Sequence, residues 1–205
     1  MTQTEFQTAA DYADALTTCR RSKNILGGIT LVLLATQVAV FFIARFKIDF
    51  SQPGHATDLA KYVTGGIDFL GVAIPIVMAI ALLLIVAIML VGRLIGVSHL
   101  VSAFLWCVLL AAILFPWQAF LSNQTFTSPE FKVPGVLYNW AELLAKVRQA
   151  PQGLNAAILY WGRFVGAPVA AMVVLAVIGY QSRRGLRLAF GEVAPSTPPI
   201  DHPVG

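Results

Sequence analysis

Charge is what this sequence has least of. Only 12% of its 205 residues are Asp, Glu, Lys or Arg, against roughly 25% in a soluble globular chain. With 58% hydrophobic residues and a mean hydropathy of +0.76, that shortage excludes an ordinary soluble domain. The small surplus of base, a formal net charge of +4, is what lysines and arginines flanking membrane helices produce. No segment carries a basic face outside the apolar runs, so nucleic acid is excluded as a partner.

Cysteine is scarce too. Cys19 lies in a polar segment and Cys107 in the middle of an apolar run. They cannot easily meet, so no intramolecular disulfide is expected. Two cysteines with no histidine at ligand spacing make no zinc site. The catalytic motifs HExxH, GxSxG, the Walker loop and CxxCH are all missing. So are a pair of membrane carboxylates suited to proton transfer and the acidic runs that hold magnesium for lipid phosphate chemistry. The chain is therefore expected not to be an enzyme. No internal repeat recurs at a fixed period.

Long apolar runs are what the sequence has in abundance. Residues 69–92 carry no charge, and about 20 apolar residues suffice to cross a bilayer core. Arg93 interrupts, and by Val97 the chain is apolar again until about Leu121. A turn of a few residues between two such runs forces an antiparallel hairpin. Ile25–Ala44 is an earlier span. It ends FFIARFK with no small-residue cleavage site, so it is expected to be a retained helix and not a signal peptide. Ala157–Tyr180 is the last span. The expected fold is all-α: an integral membrane bundle of four transmembrane helices, over 25–44, 69–92, 97–121 and 157–180.

The segments between the runs are less uniform. Residues 1–24 repeat apolar positions at helical spacing (Phe6, Ala9, Ala13, Leu16) and end in Arg20, Arg21 and Lys23. They read either as a short amphipathic helix at the membrane surface or on a partner, or as a frayed tail. Residues 45–67 contain Pro53, Gly54, Gly65 and Gly66 and read as a loop. Residues 136–149 (VLYNWAELLAKVRQ) read as an interfacial amphipathic helix, with Leu137, Trp140, Leu144 and Val147 on one stripe and Glu142, Lys146 and Arg148 elsewhere. Residues 181–205 are a basic, then Pro-rich, tail.

Four spans put both termini on one side. Seven basic residues fall on that side (Arg20, Arg21, Lys23, Arg93, Arg183, Arg184, Arg187) and six on the other. The clusters RRSK and RRGLR directly flank the first and last spans and favour cytoplasmic termini. Trp117, Trp140 and Trp161 would form an aromatic belt at the opposite boundary. A bacterial inner membrane is the simplest setting.

Intramembrane polar groups are the first candidates for function. Arg163 lies in the last apolar run, and Asp68 opens the second span on the same side. Arg163 either snorkels to the interface, pairs with Asp68, or binds a ligand. His99 is the one histidine inside an apolar run, six residues past Arg93, or roughly 9 Å along a helix. It suits an interhelical hydrogen bond helped by Ser98 or Ser102, or ligation of a haem or chlorophyll, or donation to a quinone. His55 and His202 are poorly placed to complete a bis-histidine haem. No cofactor is required by the sequence. Gln37, Thr36, Ser102 and Gln118 form no continuous polar stripe and suit bonds between helices. Gly92 and Gly96, and Gly162, Gly166 and Ala170, are spaced four apart and mark faces for close helix packing.

Together these features point to an accessory or scaffolding subunit of a larger membrane assembly, built with other integral membrane subunits or identical copies in a lipid bilayer. An oligomeric carrier or pore, and a cofactor-binding subunit using His99, are the alternatives.

Overall fold

The computed structural model describes residues 3–46, 54–115, 136–138, 140–148, 151 and 153–192. Among them there is no strand. The helices are α1 (Gln3–Phe46), α2 (His55–Val91), α3 (Val97–Leu114), α4 (Trp140–Lys146), α5 (Leu154–Trp161) and α6 (Ala167–Ala189), with a π-helical turn, Gly162–Gly166, joining α5 to α6. Four helical stretches are long and apolar enough to cross a membrane: Asp11–Phe46, Thr57–Val91, Val97–Leu114 and Leu154–Ala189. That is the pattern of a multi-pass membrane protein.

α1 does not break between residues 24 and 25. Its buried stripe is Leu16, Lys23, Thr30, Leu34, Gln37, Phe41 and Ala44. These positions recur at the seven-residue spacing, split four and three, of a helix in a left-handed bundle. Three of them are polar, which disguises the stripe in the sequence. No proline interrupts the run. The amphipathic segment and the first span are therefore one helix.

α2 likewise starts earlier than expected. Residues 55–67, read as a loop, are helical. Gly65 and Gly66 cost about 1 kcal/mol each in a helix interior. Ala60, Thr64 and Ile67 are buried on one face and tie this turn-rich stretch to the bundle. The Thr64 hydroxyl donates to the Ala60 carbonyl at 2.8 Å.

The α2–α3 turn is a Schellman-type ending. Leu94 N–H donates to the Met89 carbonyl at 2.9 Å and Arg93 N–H to Leu90 at 3.2 Å. Arg93 takes the left-handed position usually given to glycine, with φ 50°. α3 ends at Leu114 and Phe115 is extended, because the residue before a proline is pushed out of the helical region by Pro116. The expected end of the third span at Leu121 lies outside the described residues. The π turn sits two residues before Pro168. Pro168 has no N–H for the Phe164 carbonyl, and a widened turn is one way a helix accommodates that loss.

The helices form a ring: α1 packs on α2, α2 on α3, α3 on α6, and α6 back on α1, the last contact being looser. The main core runs through Leu34, Met78, Leu82, Ile85, Leu110 and Leu175. A second cluster fills the end away from the termini: Phe41, Ala44, Ala60, Tyr138, Leu143, Val147 and Phe164. Residues 136–148 close that end. Added to Gly71, a Cβ would lie 2.7 Å from a Leu137 methyl, so the strap lies hard against α2.

Candidate functional site

The densest polar cluster lies under this strap. Arg163 is the second residue of the π turn. Its Nε donates to Glu142 Oε1 at 3.1 Å and its Nη2 to Oε2 at 2.9 Å. This is the two-pronged geometry that matches a guanidinium to a carboxylate. Nη2 also donates to the Leu137 carbonyl at 3.1 Å. Both charged side chains are only 12% exposed. Lys146 adds a longer contact to Glu142, 3.7 Å, from a mostly exposed position.

The partner of Arg163 is thus Glu142 and not Asp68. The strap explains why the pairing of Glu142 with Arg163 differs from the expectation. Its helix is only Trp140–Lys146, not 136–149. The buried face is Leu143 and Val147 with half-buried Trp140, while Leu144 is 38% exposed. That one-residue rotation carries Glu142 from the expected solvated side toward the bundle.

Tyr138 is fully buried and its hydroxyl donates to the Gln37 backbone carbonyl. Burial pushes its phenol well above the ordinary value of 10.0. Val147 follows the strap's helix, and its carbonyl accepts from Arg45 Nη1 at 2.9 Å and from the Tyr160 hydroxyl at 2.8 Å. These donors satisfy an acceptor that a helix end otherwise leaves open. Phe41 stacks on Phe164, centroids 4.8 Å apart, with Tyr160 tilted against both rings and Trp161 edge-on to Phe41. Among the described residues, neither atom of the Gln37 side-chain amide has a hydrogen-bond partner, nor does Arg163 Nη1. Such buried donors and acceptors call for a water or another polar group. The cluster holds no paired nucleophile and base. What it can do chemically is bind the strap to three helices.

His99 sits at the other end, in the first turn of α3. Its Nδ1 lies 3.1 Å from Gln181 Oε1 on α6. The helper is Gln181, while Ser98 is exposed and Ser102 half-buried. His55 opens α2 at the far end of the bundle, and His202 lies outside the described residues. Among the described residues no three His, Cys, Asp or Glu side chains gather to hold a metal.

The small residues divide sharply. A Cβ on Gly96 would meet the Gly185 carbonyl oxygen at 2.6 Å, and one on Gly185 would meet the Gly96 oxygen at 3.0 Å. Here two backbones touch, and Gly96 also has φ 98°, which favours glycine. Gly92 meets no other helix; it caps α2. Gly162, Gly166 and Ala170 are exposed on α5–α6, and a Cβ at Gly162 meets nothing within 4 Å. Trp161 is 39% exposed beside them, and Trp117 lies outside the described residues. Gln118 does so as well.

Sequence reasoning named Glu142 but missed its pairing with Arg163, and it missed Tyr138, Gln181 and Gly185. Gly185 stood in a stretch read as tail. The one available signal was that the basic run RRGLR carries helical residues on both sides of it.

No family model, curated protein or solved structure matches this chain.

Proposed function

We propose that the chain is a multi-pass protein of a bacterial inner membrane, an accessory or scaffolding subunit of a larger membrane assembly that works by helix packing. The observation that carries this reading is the outward face of Gly162, Gly166 and Ala170, left uncovered by the described residues. Between membrane helices, small residues let backbones approach closely, and dispersion and hydrogen bonds replace the hydrophobic drive available in water. The bundle's own tight contact is made elsewhere, at Gly96 and Gly185. The outward face is therefore free for another subunit's helix or a second copy of the chain.

The termini are assigned to the cytoplasm. Arg20, Arg21, Lys23, Arg93, Arg183, Arg184 and Arg187 belong to the end that holds the termini and the α2–α3 turn, in keeping with the positive-inside rule. Trp140 and Trp161 belong to the other end. The strap acts there as an interfacial element: Leu143 and Val147 hold it to the bundle, while Leu144 and part of Trp140 rest at the membrane boundary. An oligomeric pore is less well supported, because Gln37 and Arg163 are packed inside a single chain.

A second reading rests on His99. The Gln181 contact orients its ring in the way that ligating histidines are commonly oriented by an acceptor on the other nitrogen. A haem or chlorophyll bound there gives a visible absorption band that His99→Ala removes; a quinone gives none.

The test is gentle purification from the native membrane in mild detergent. Mass spectrometry identifies everything that stays with the chain, and an absorption spectrum is taken on the same sample. Stoichiometric integral membrane companions or a defined homo-oligomer are expected. A colourless, folded monomer with no companion would overturn both readings except for the quinone form.

A further inference from the structure

The loosest seam of the ring, between α1 and α6, opens into a groove of about 530 Å³. Glycines open its walls. Gly28 on α1 and Gly179 on α6 line it, and a Cβ at either position would meet nothing within 4 Å. Met78 of α2 forms part of its lining, with Leu31 and Met172 beside it. From Lys23 to Leu31 the trough runs eight residues, or about 12 Å of helix.

One end of the trough is cationic. Lys23, Asn24 and Arg183 line it, and a neighbouring hollow carries Arg20 and Arg21. Lys23 is the unusual member. It is only 4% exposed, and its ammonium donates to the Ser182 hydroxyl at 2.6 Å. Ser182 passes the bond on to the Gly179 carbonyl at 3.1 Å. Among the described residues no carboxylate pairs with Lys23, and the nearest charges, Arg183 and Arg20, repel it. A buried ammonium held by one neutral hydroxyl beside two other cations lacks a counter-ion.

An apolar trough ending in uncompensated positive charge is the complement of an anionic amphiphile. Resting on the reading that the chain is membrane-embedded, we infer that the α1–α6 groove binds one anionic phospholipid: its acyl chain lies between Gly28 and Gly179, and its phosphodiester is held by Lys23 and Arg183. Basic pockets between membrane helices on the cytoplasmic side recognise such headgroups. A neutral lipid offers the same chain but no net charge to neutralise. A free phosphate offers the charge but leaves the trough empty.

The test uses the full chain in detergent with palmitoyl-oleoyl phosphatidylglycerol or phosphatidylcholine at equal concentration, read by native mass spectrometry. One phosphatidylglycerol is expected to be retained in preference to phosphatidylcholine by at least about tenfold. Arg183 is exposed, so Arg183→Gln keeps the fold; it is expected to lower that preference about fivefold. Lys23→Gln with Arg183→Gln abolishes it. Gly179→Leu, which fills the trough and leaves the cations, loses the retained lipid while its melting stays near that of the parent. Inorganic phosphate does not compete. Equal retention of both lipids, an unchanged preference in the charge variants, competition by inorganic phosphate, or a dimer that Gly179→Leu breaks would each overturn the inference. Alkaline carbonate extraction of native membranes separates the two levels. Release of the chain contradicts the membrane reading itself. A chain that stays in the membrane yet shows no lipid preference contradicts the groove alone.

Discussion

Gly96 and Gly185 face each other across a seam where no side chain fits, while Gly162, Gly166 and Ala170 face outward with room to spare. The residue types are much alike, although only the second set is spaced four apart on one helix. The surroundings are not. At the first place α3 and α6 already meet, and the glycines are what lets them meet. At the second, none of the described residues packs across the face. The contrast teaches that a small-residue pattern marks a face fit for close approach, and that only the fold tells whether the chain itself uses that face.

The largest effect is expected at the closed seam. Gly185→Leu drives a branched side chain into the Gly96 carbonyl and into Leu100, 3.0 Å from the added Cβ. Folded protein is expected to disappear from size-exclusion profiles of detergent extracts. A sharp peak with unchanged melting would show that the seam is not tight. Next is Glu142→Ala, which strands Arg163 at 12% exposure. Removing one member of a buried pair costs about 3–5 kcal/mol. Denaturant titration in mixed micelles should show that loss, and Arg163→Met in the same chain should recover most of it. If the double variant is no better than the single, the pair is not what holds the strap.

Tyr138→Phe is a smaller probe of the same strap. It removes one hydrogen bond, to the Gln37 carbonyl, worth about 1 kcal/mol at neutral pH. It also has a pH signature. The buried phenol ionises well above its ordinary value of 10.0, so the unfolded chain loses the proton first. The stabilisation is complete below that ordinary value and falls as pH rises through it. The parent should lose stability faster than Tyr138→Phe in alkaline titrations followed by tryptophan fluorescence; parallel curves would count against a buried Tyr138. Smallest of all is the effect of opening residues on the fold. Gly166→Leu should change monomer stability by less than about 0.5 kcal/mol, since a Cβ there meets only the Trp161 carbonyl oxygen at 3.7 Å.

The four long apolar stretches and the hairpin at Arg93 were legible because hydropathy is a one-dimensional property. What polar residues do inside a bundle is not. Lys23, Thr30 and Gln37 occupy buried positions seven apart, so the N-terminal segment looked separate from the helix it begins. Gly65 and Gly66 read as breakers, yet packing at Ala60, Thr64 and Ile67 carries the helix through them. Arg163 was visible as a candidate, but its partner depends on a rotation of one residue in a seven-residue helix. His99 and Gln181, or Gly96 and Gly185, lie far apart in sequence and meet only through the ring of helices.

The most direct test of the central claim compares the parent chain with Gly162→Leu/Gly166→Leu, both expressed at native level and purified in mild detergent from the native membrane. Companion subunits, or the second copy, should be lost from the variant in stoichiometric amount while its melting and monomer size are unchanged. Companions retained at full stoichiometry on a folded variant would contradict the claim that the outward glycine face is where the assembly docks.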